Sequence, residues 1–139
     1  MLFVGAFDRQ LDDKGRLALP ASFRSHLGEQ CYLALGQDKC VNVTPVATFE
    51  DMALELMAQV KRGEVSQNRQ RALAASAVLV NVDKQGRVNI DDKLRTYADI
   101  SPLDRVVVSG NLDRIEIWSP DRYARVTAAG TDDLAGPTD

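Results

Sequence analysis

The sequence is short of the side chains that do chemistry. Its 139 residues include one histidine, His26, and two cysteines, Cys31 and Cys40. That is too few for a zinc site or a disulfide framework, and the cysteines read as small buried apolar groups. No apolar run approaches the roughly 20 residues of a membrane span. The start, Met1 to Ala6, has neither a basic leader nor a long apolar stretch, so no signal peptide is expected. Phosphate loops of the G-x-x-x-x-G-K-S/T and G-x-G-x-x-G types, a G-x-S-x-G elbow and an H-E-x-x-H helix are all missing. Paired carboxylates do occur, as Asp12-Asp13 and Asp91-Asp92, but neighbours in a turn point apart, and turn geometry accounts for aspartate there. The expectation is a soluble, cytoplasmic protein with no catalytic residue, no metal, no cofactor and no small-molecule substrate.

A basic excess is lacking too. The net charge of −3 speaks at first against nucleic acid, because duplex binders usually carry surplus positive charge. Distribution softens this. Three of the 20 acids, Asp132, Asp133 and Asp139, lie beyond Thr131, which leaves the body with 17 acids and 17 bases. Twelve of those bases are arginine, a side chain equally suited to bidentate phosphate or guanine contacts and to surface ion pairs.

What the chain does have is a repeat. Leu11-Asp12-Asp13-Lys14-Gly15-Arg16-Leu17-Ala18-Leu19-Pro20-Ala21-Ser22-Phe23-Arg24 recurs without a gap, 71 residues on, as Val82-Asp83-Lys84-Gln85-Gly86-Arg87-Val88-Asn89-Ile90-Asp91-Asp92-Lys93-Leu94-Arg95, each copy closing on an apolar-Arg pair. Apolar, acid, Gly, Arg, apolar, any, apolar holds in register, which marks two copies of one small unit. In each, Gly15 or Gly86 supplies the positive φ of a tight turn that closes a short hairpin. Side chains alternate along a strand, so Leu17 and Leu19, like Val88 and Ile90, face inward while the arginine faces solvent.

The remaining elements follow in order. Residues 1–10 alternate as a strand, and Pro20 opens a short helix over 21–27 that Gly28 stops. Cys31 to Leu35 and Cys40 to Val43 form a second hairpin. A helix from Thr48 carries Phe49, Met52, Ala53, Leu56, Met57 and Val60 on one face, expected to be buried, and a further helix spans Ser66 to Ala77. In the second copy Asp91 replaces Pro20 and caps a helix over 92–98 through its carboxylate. A closing hairpin, Val106 to Ser109 and Arg114 to Trp118, ends in Ser119-Pro120 as the first ends in Thr44-Pro45, and a short helix near Asp121 to Val126 follows it. The expected divisions are a first copy over 1–47, connecting helices over 48–77, a second copy over 78–123 and a disordered tail over 124–139.

The repeated Asp-x-x-x-Arg, Asp12 with Arg16 and Asp83 with Arg87, admits two readings. Each pair closes its own turn by an ion pair of small worth if exposed. Alternatively, each turn lifts an arginine from a rigid hairpin, once per copy, as a pseudo-symmetric backbone reader needs.

Phe3-x-Gly5-x-Phe7, Leu11-Asp12-x-Lys14-Gly15-Arg16-Leu17, Pro20-x-x-Phe23-Arg24, Asp83-x-x-Gly86-Arg87-Val88 and Ile115-Glu116-Ile117-Trp118-Ser119-Pro120 together resemble the bacterial MraZ family, over roughly residues 1–125. The resemblance implies an α+β fold of two tandem AbrB-like swapped-hairpin repeats that form one pseudo-two-fold β-barrel with connecting helices. It implies a sequence-specific regulator of transcription that binds double-stranded DNA as a ring-like homo-oligomer, with no membrane partner. The sites implied are repeated ones upstream of the division and cell-wall gene cluster that includes the regulator's own gene, which places the protein at the nucleoid. Carried over by position, DNA contacts fall on Lys14, Arg16, Arg24, Lys84 and Arg87, and the turns rest on Asp12, Gly15, Asp83 and Gly86. An antitoxin-like or other protein-interaction module built on the same unit is the alternative.

Overall fold

The computed structural model describes residues 1–138, and its elements run twice through one order. The first run is β1 (Ala6–Gln10), β2 (Arg16–Ala18), α1 (Ala21–Leu27), β3 (Gln30–Leu35), β4 (Val41–Pro45) and α2 (Val46–Lys61). After α3 (Gln67–Ser76) come β5 (Val78–Asn81), β6 (Arg87–Asn89), α4 (Asp92–Ala98), β7 (Arg105–Gly110), β8 (Ile115–Trp118) and α5 (Pro120–Ala135). Local chemistry accounts for many of these boundaries. Gly28 ends α1 at φ +82°, a left-handed conformation that costs glycine little. Asp91 accepts a 2.9 Å bond from the Leu94 amide, and Ser66 caps α3 through the Arg69 amide, as oxygen-bearing caps do. Among the described residues no helix is long and apolar enough to cross a membrane.

The strands pair across copies. Six form an antiparallel sheet in the order β1-β7-β8-β4-β3-β5, and β2 pairs with β6 in a separate ribbon. Exchanging each strand of the first copy for its counterpart reverses this order into itself. The pseudo-two-fold passes between Leu17 and Val88, which face each other in the ribbon, and between Asn42 and Glu116 where β4 meets β8. That register makes Pro45 and Ser119 equivalent helix caps, so the two copies end one residue out of step with the Thr44-Pro45 and Ser119-Pro120 match.

Three expectations are corrected. The turns at Gly15 and Gly86 form, but they do not close hairpins: β1 pairs with β7 rather than β2, and β5 with β3 rather than β6. Three-residue β2 and β6 find in each other a partner whose apolar faces match, Leu17 and Val88 being buried together. The hydrogen-bonded ladder of the six-stranded sheet has β1 and β5 as its edges. The second correction concerns α2, in which no residue is fully buried. Phe49 stacks on Tyr32 at 4.2 Å between ring centroids, whereas Met57 is 39 % exposed and Leu54 61 %. The helix lies outside the sheet, over β3 and β4, and the core is complete without it. Third, the stretch expected as a disordered tail is helical as far as Ala135. Pro120 at the first helical position starts α5, and Tyr123 and Val126 pack on Trp118. Of that tail, Asp139 lies outside the described residues.

The main core sits between sheet and ribbon. Phe3, Leu11, Leu17, Phe23, Val88 and Ile90 pack there with inward residues of β3, β4, β7 and β8. Leu17, Leu19, Val88 and Ile90 are all buried, which leaves the other face of β2 and β6 to carry Arg16, Ala18, Arg87 and Asn89.

Candidate nucleic-acid interface

Both turns are built from one aspartate. Asp12 Oδ1 accepts the Lys14 amide at 2.9 Å and the Arg16 amide at 2.8 Å, and Oδ2 accepts Arg16 Nε at 2.7 Å. Asp83 does the same with Gln85, Arg87 and Arg87 Nε, each at 2.9 Å. Main-chain bonds complete each turn, from Asp12 N to Arg16 O and from Gly15 N to Asp12 O in the first. Gly15 and Gly86 both stand at φ +77°, where a side chain brings strain. The turn-closing reading of Asp-x-x-x-Arg holds: the aspartate closes the turn, and in doing so fixes the arginine by its backbone and by one nitrogen of its guanidinium.

Three aligned donors stabilise each carboxylate in its ionised form. The Arg16 amide, ahead of the Arg16 side chain, holds the Asp12 carboxyl below its ordinary range, and the Arg87 amide does likewise for Asp83. Hydrogen bonds to a charged form favour that form. Arg16 and Arg87 keep 32 % and 28 % of their side-chain surface exposed, and the bond to aspartate uses Nε, so the terminal amino groups stay available for a second acceptor. The copies differ here. Arg87 Nη1 also lies 4.0 Å from Asp12 Oδ2, which partly neutralises it, and the second turn has Lys84-Gln85 where the first has Asp13-Lys14.

Of the residues singled out from the sequence, Lys14, Arg16, Lys84 and Arg87 come together around the ribbon. Arg24 lies on α1, its Nη2 donating to the Lys84 carbonyl at 2.9 Å. The sequence did not single out Asn89, placed beside Arg87 on the outer ribbon face, and it showed Arg95 only as the residue that closes the second copy of the repeat, 71 residues after Arg24, with no role assigned. The repeat itself was the signal for Arg95. Elsewhere the chemistry is quiet. Among the described residues no three histidines, cysteines or acids are grouped to hold a metal. Both cysteines are buried and free, burial pushing the Cys31 thiol up to about 11 and Cys40 further, which disfavours the reactive thiolate.

Comparison with known proteins agrees with the duplicated architecture. The family model described as "MraZ protein, putative antitoxin-like" matches residues 2–71 and 73–135. A protein of Nocardioides sp. named transcriptional regulator MraZ is 43 % identical over 129 residues, covering 92 % of this chain and 88 % of the relative. A protein of the same name from Corynebacterium jeikeium is 39 % identical over 144 residues, covering 99 % and 95 %. One from Salinispora arenicola is 40 % identical over 135 residues, covering 96 % and 93 %.

Proposed function

The chain belongs to the MraZ family, and from that premise we propose that it is a DNA-binding regulator of transcription whose contacts lie on the paired turns. The observation that carries this reading is the construction of one Asp-Arg turn twice, side by side on a two-stranded ribbon. A rigid pair of loops that offers Lys14, Arg16, Lys84 and Arg87 suits a duplex, in which phosphates and base edges recur at fixed spacing. Arginines already oriented by aspartate lose little freedom when they meet a second acceptor.

One subunit offers few cations, and its body is neutral. Affinity then comes from several subunits engaging several sites, since a ring-like homo-oligomer multiplies weak contacts through effective concentration. The two copies present unlike ends, and a heterologous contact between unlike ends closes into a ring when its rotation permits. The sites proposed are repeats upstream of the division and cell-wall gene cluster that contains the protein's own gene, so it works at the nucleoid. No cofactor takes part.

A gel-shift with duplex from upstream of its own gene, beside random duplex of equal length, tests this. Preferential retardation of the upstream duplex is expected, and equal or absent retardation of both overturns it. The antitoxin-like description of the family favours the second reading, a protein-interaction module on the same unit, and that outcome would turn attention to it.

A further inference from the structure

The two turn glycines are buried, although each turn lies at the surface. A Cβ built on Gly15 would stand 2.7 Å from Arg95 Nε and 3.0 Å from Arg95 Cζ. A Cβ on Gly86 would stand 2.8 Å from Arg24 Nη1 and 2.9 Å from Arg24 Cδ. Arg24 and Arg95 are themselves equivalent positions of the two copies. The guanidinium that covers each glycine thus comes from the other copy.

Main-chain bonds run the same way: Ile90 N donates to Gly15 O at 3.2 Å, and Leu19 N to Gly86 O at 2.9 Å. Each turn is enclosed by the strand-to-helix corner of the opposite copy. Glycine is the residue with the widest backbone freedom, and Gly15 and Gly86 immediately precede Arg16 and Arg87. Whatever limits the glycine aims the arginine. A flat guanidinium laid against the glycine supplies that limit without a Cβ in the turn.

The two covering arginines differ in exposure. Arg95 Nε donates to the Ile90 carbonyl at 2.9 Å, its Nη2 is 3.6 Å from the Asp92 carboxylate, and only 14 % of its side chain is exposed. Arg24 Nη2 holds the Lys84 carbonyl inside the opposite turn. Arg95 is thus held within its own copy, while Arg24, itself exposed, reaches across to the opposite turn.

Resting on the DNA-binding reading, we propose that Arg95 and Arg24 are positioning residues that act across copies, Arg95 aiming Arg16 and Arg24 aiming Arg87. A residue that touches a phosphate and one that aims another side chain leave different marks on salt dependence. Loss of a phosphate contact lowers the slope of log K against log salt by about 0.9. Loss of an aiming residue weakens binding and leaves the slope in place.

The test uses the full chain with Arg95→Met and, separately, Arg24→Met, which keep an unbranched stem and remove the planar head. Two-dimensional amide NMR or hydrogen exchange reads the turns without DNA. Arg95→Met should perturb residues 12–16 in the first copy, and Arg24→Met residues 83–87 in the second. With upstream duplex, Arg95→Met should weaken binding by about tenfold, the size of one weakened base contact, at an unchanged salt slope. Perturbation confined to each variant's own helix, or a slope lowered by about 0.9, overturns the proposal. Arg24 is exposed, so Arg24→Met folds even if Arg95→Met does not, and its cross-copy pattern decides alone. If the unaltered protein binds no DNA, the DNA-binding reading fails while the amide pattern still decides whether the arginines hold the turns.

Discussion

Arg16 and Arg87 are chemically one residue in two electrostatic settings. The first has its own aspartate and the neighbouring Lys14; the second shares its guanidinium with Asp12 as well as Asp83 and has Gln85 where Lys14 stands. Arg16→Ala should therefore weaken operator binding more than Arg87→Ala, by roughly 1–3 kcal/mol with relaxed specificity if it reads a base. Gel-shift titration of soluble variants checked by circular dichroism decides this, and a larger loss in Arg87→Ala would reverse the assignment. The aspartates make a second prediction. Their folded carboxyls are more acidic than ordinary, so the stability they contribute is full above the unfolded value of about 3.9 and disappears as pH falls through the lowered folded value. Urea midpoints measured from pH 7 down to pH 3 should fall in the unaltered protein. The fall should be smaller in an Asp12→Asn, Asp83→Asn double variant, which has no carboxylate to protonate there.

At the scale of elements, the ribbon and α5 are where small changes travel furthest. Leu17 on β2 is fully buried against β6, and Leu17→Ala should cost about 2–5 kcal/mol, as cavities in packed cores do. Denaturant unfolding followed by circular dichroism measures it. The chain has a single tryptophan, Trp118, which is buried under Tyr123 and Val126 of α5. Tyr123→Ala should then shift tryptophan emission to the red and lower stability by about 1–2 kcal/mol. An unshifted spectrum would mean that α5 does not cover Trp118 in solution. The sequence showed only the start of this helix, over 121–126, because Gly130 and the acids Asp132 and Asp133 carry a disorder signature, with negative charge set at the unfavourable end of the helix dipole. Packing of its first two turns on Trp118 outweighed both. On α2 the opposite error arose: apolar spacing revealed a helix but not whether anything covered its stripe.

For the whole molecule, the six-stranded ladder leaves β1 and β5 as edges, and Met1, Leu2, Val4 and Leu112 form exposed apolar surface. Light scattering at micromolar concentration should accordingly read a multiple of 15.3 kDa, and an array of sites should bind more tightly than one site. Monomer alone, or equal affinity for both duplexes, would remove the proposed ring. Sequence by itself determined the duplication, the glycine turns, the inward apolar residues of the ribbon, the glycine that ends α1 and the aspartate cap of α4. Each of these is written in residues within a few positions of one another, where sterics and short hydrogen bonds act alone. Tertiary structure alone decided which strands of the two copies pair and that Arg24 and Arg95 cover each other's turns. Backbone donors and acceptors are the same in every strand, so the choice of partner falls to the matching of apolar faces far apart in the chain.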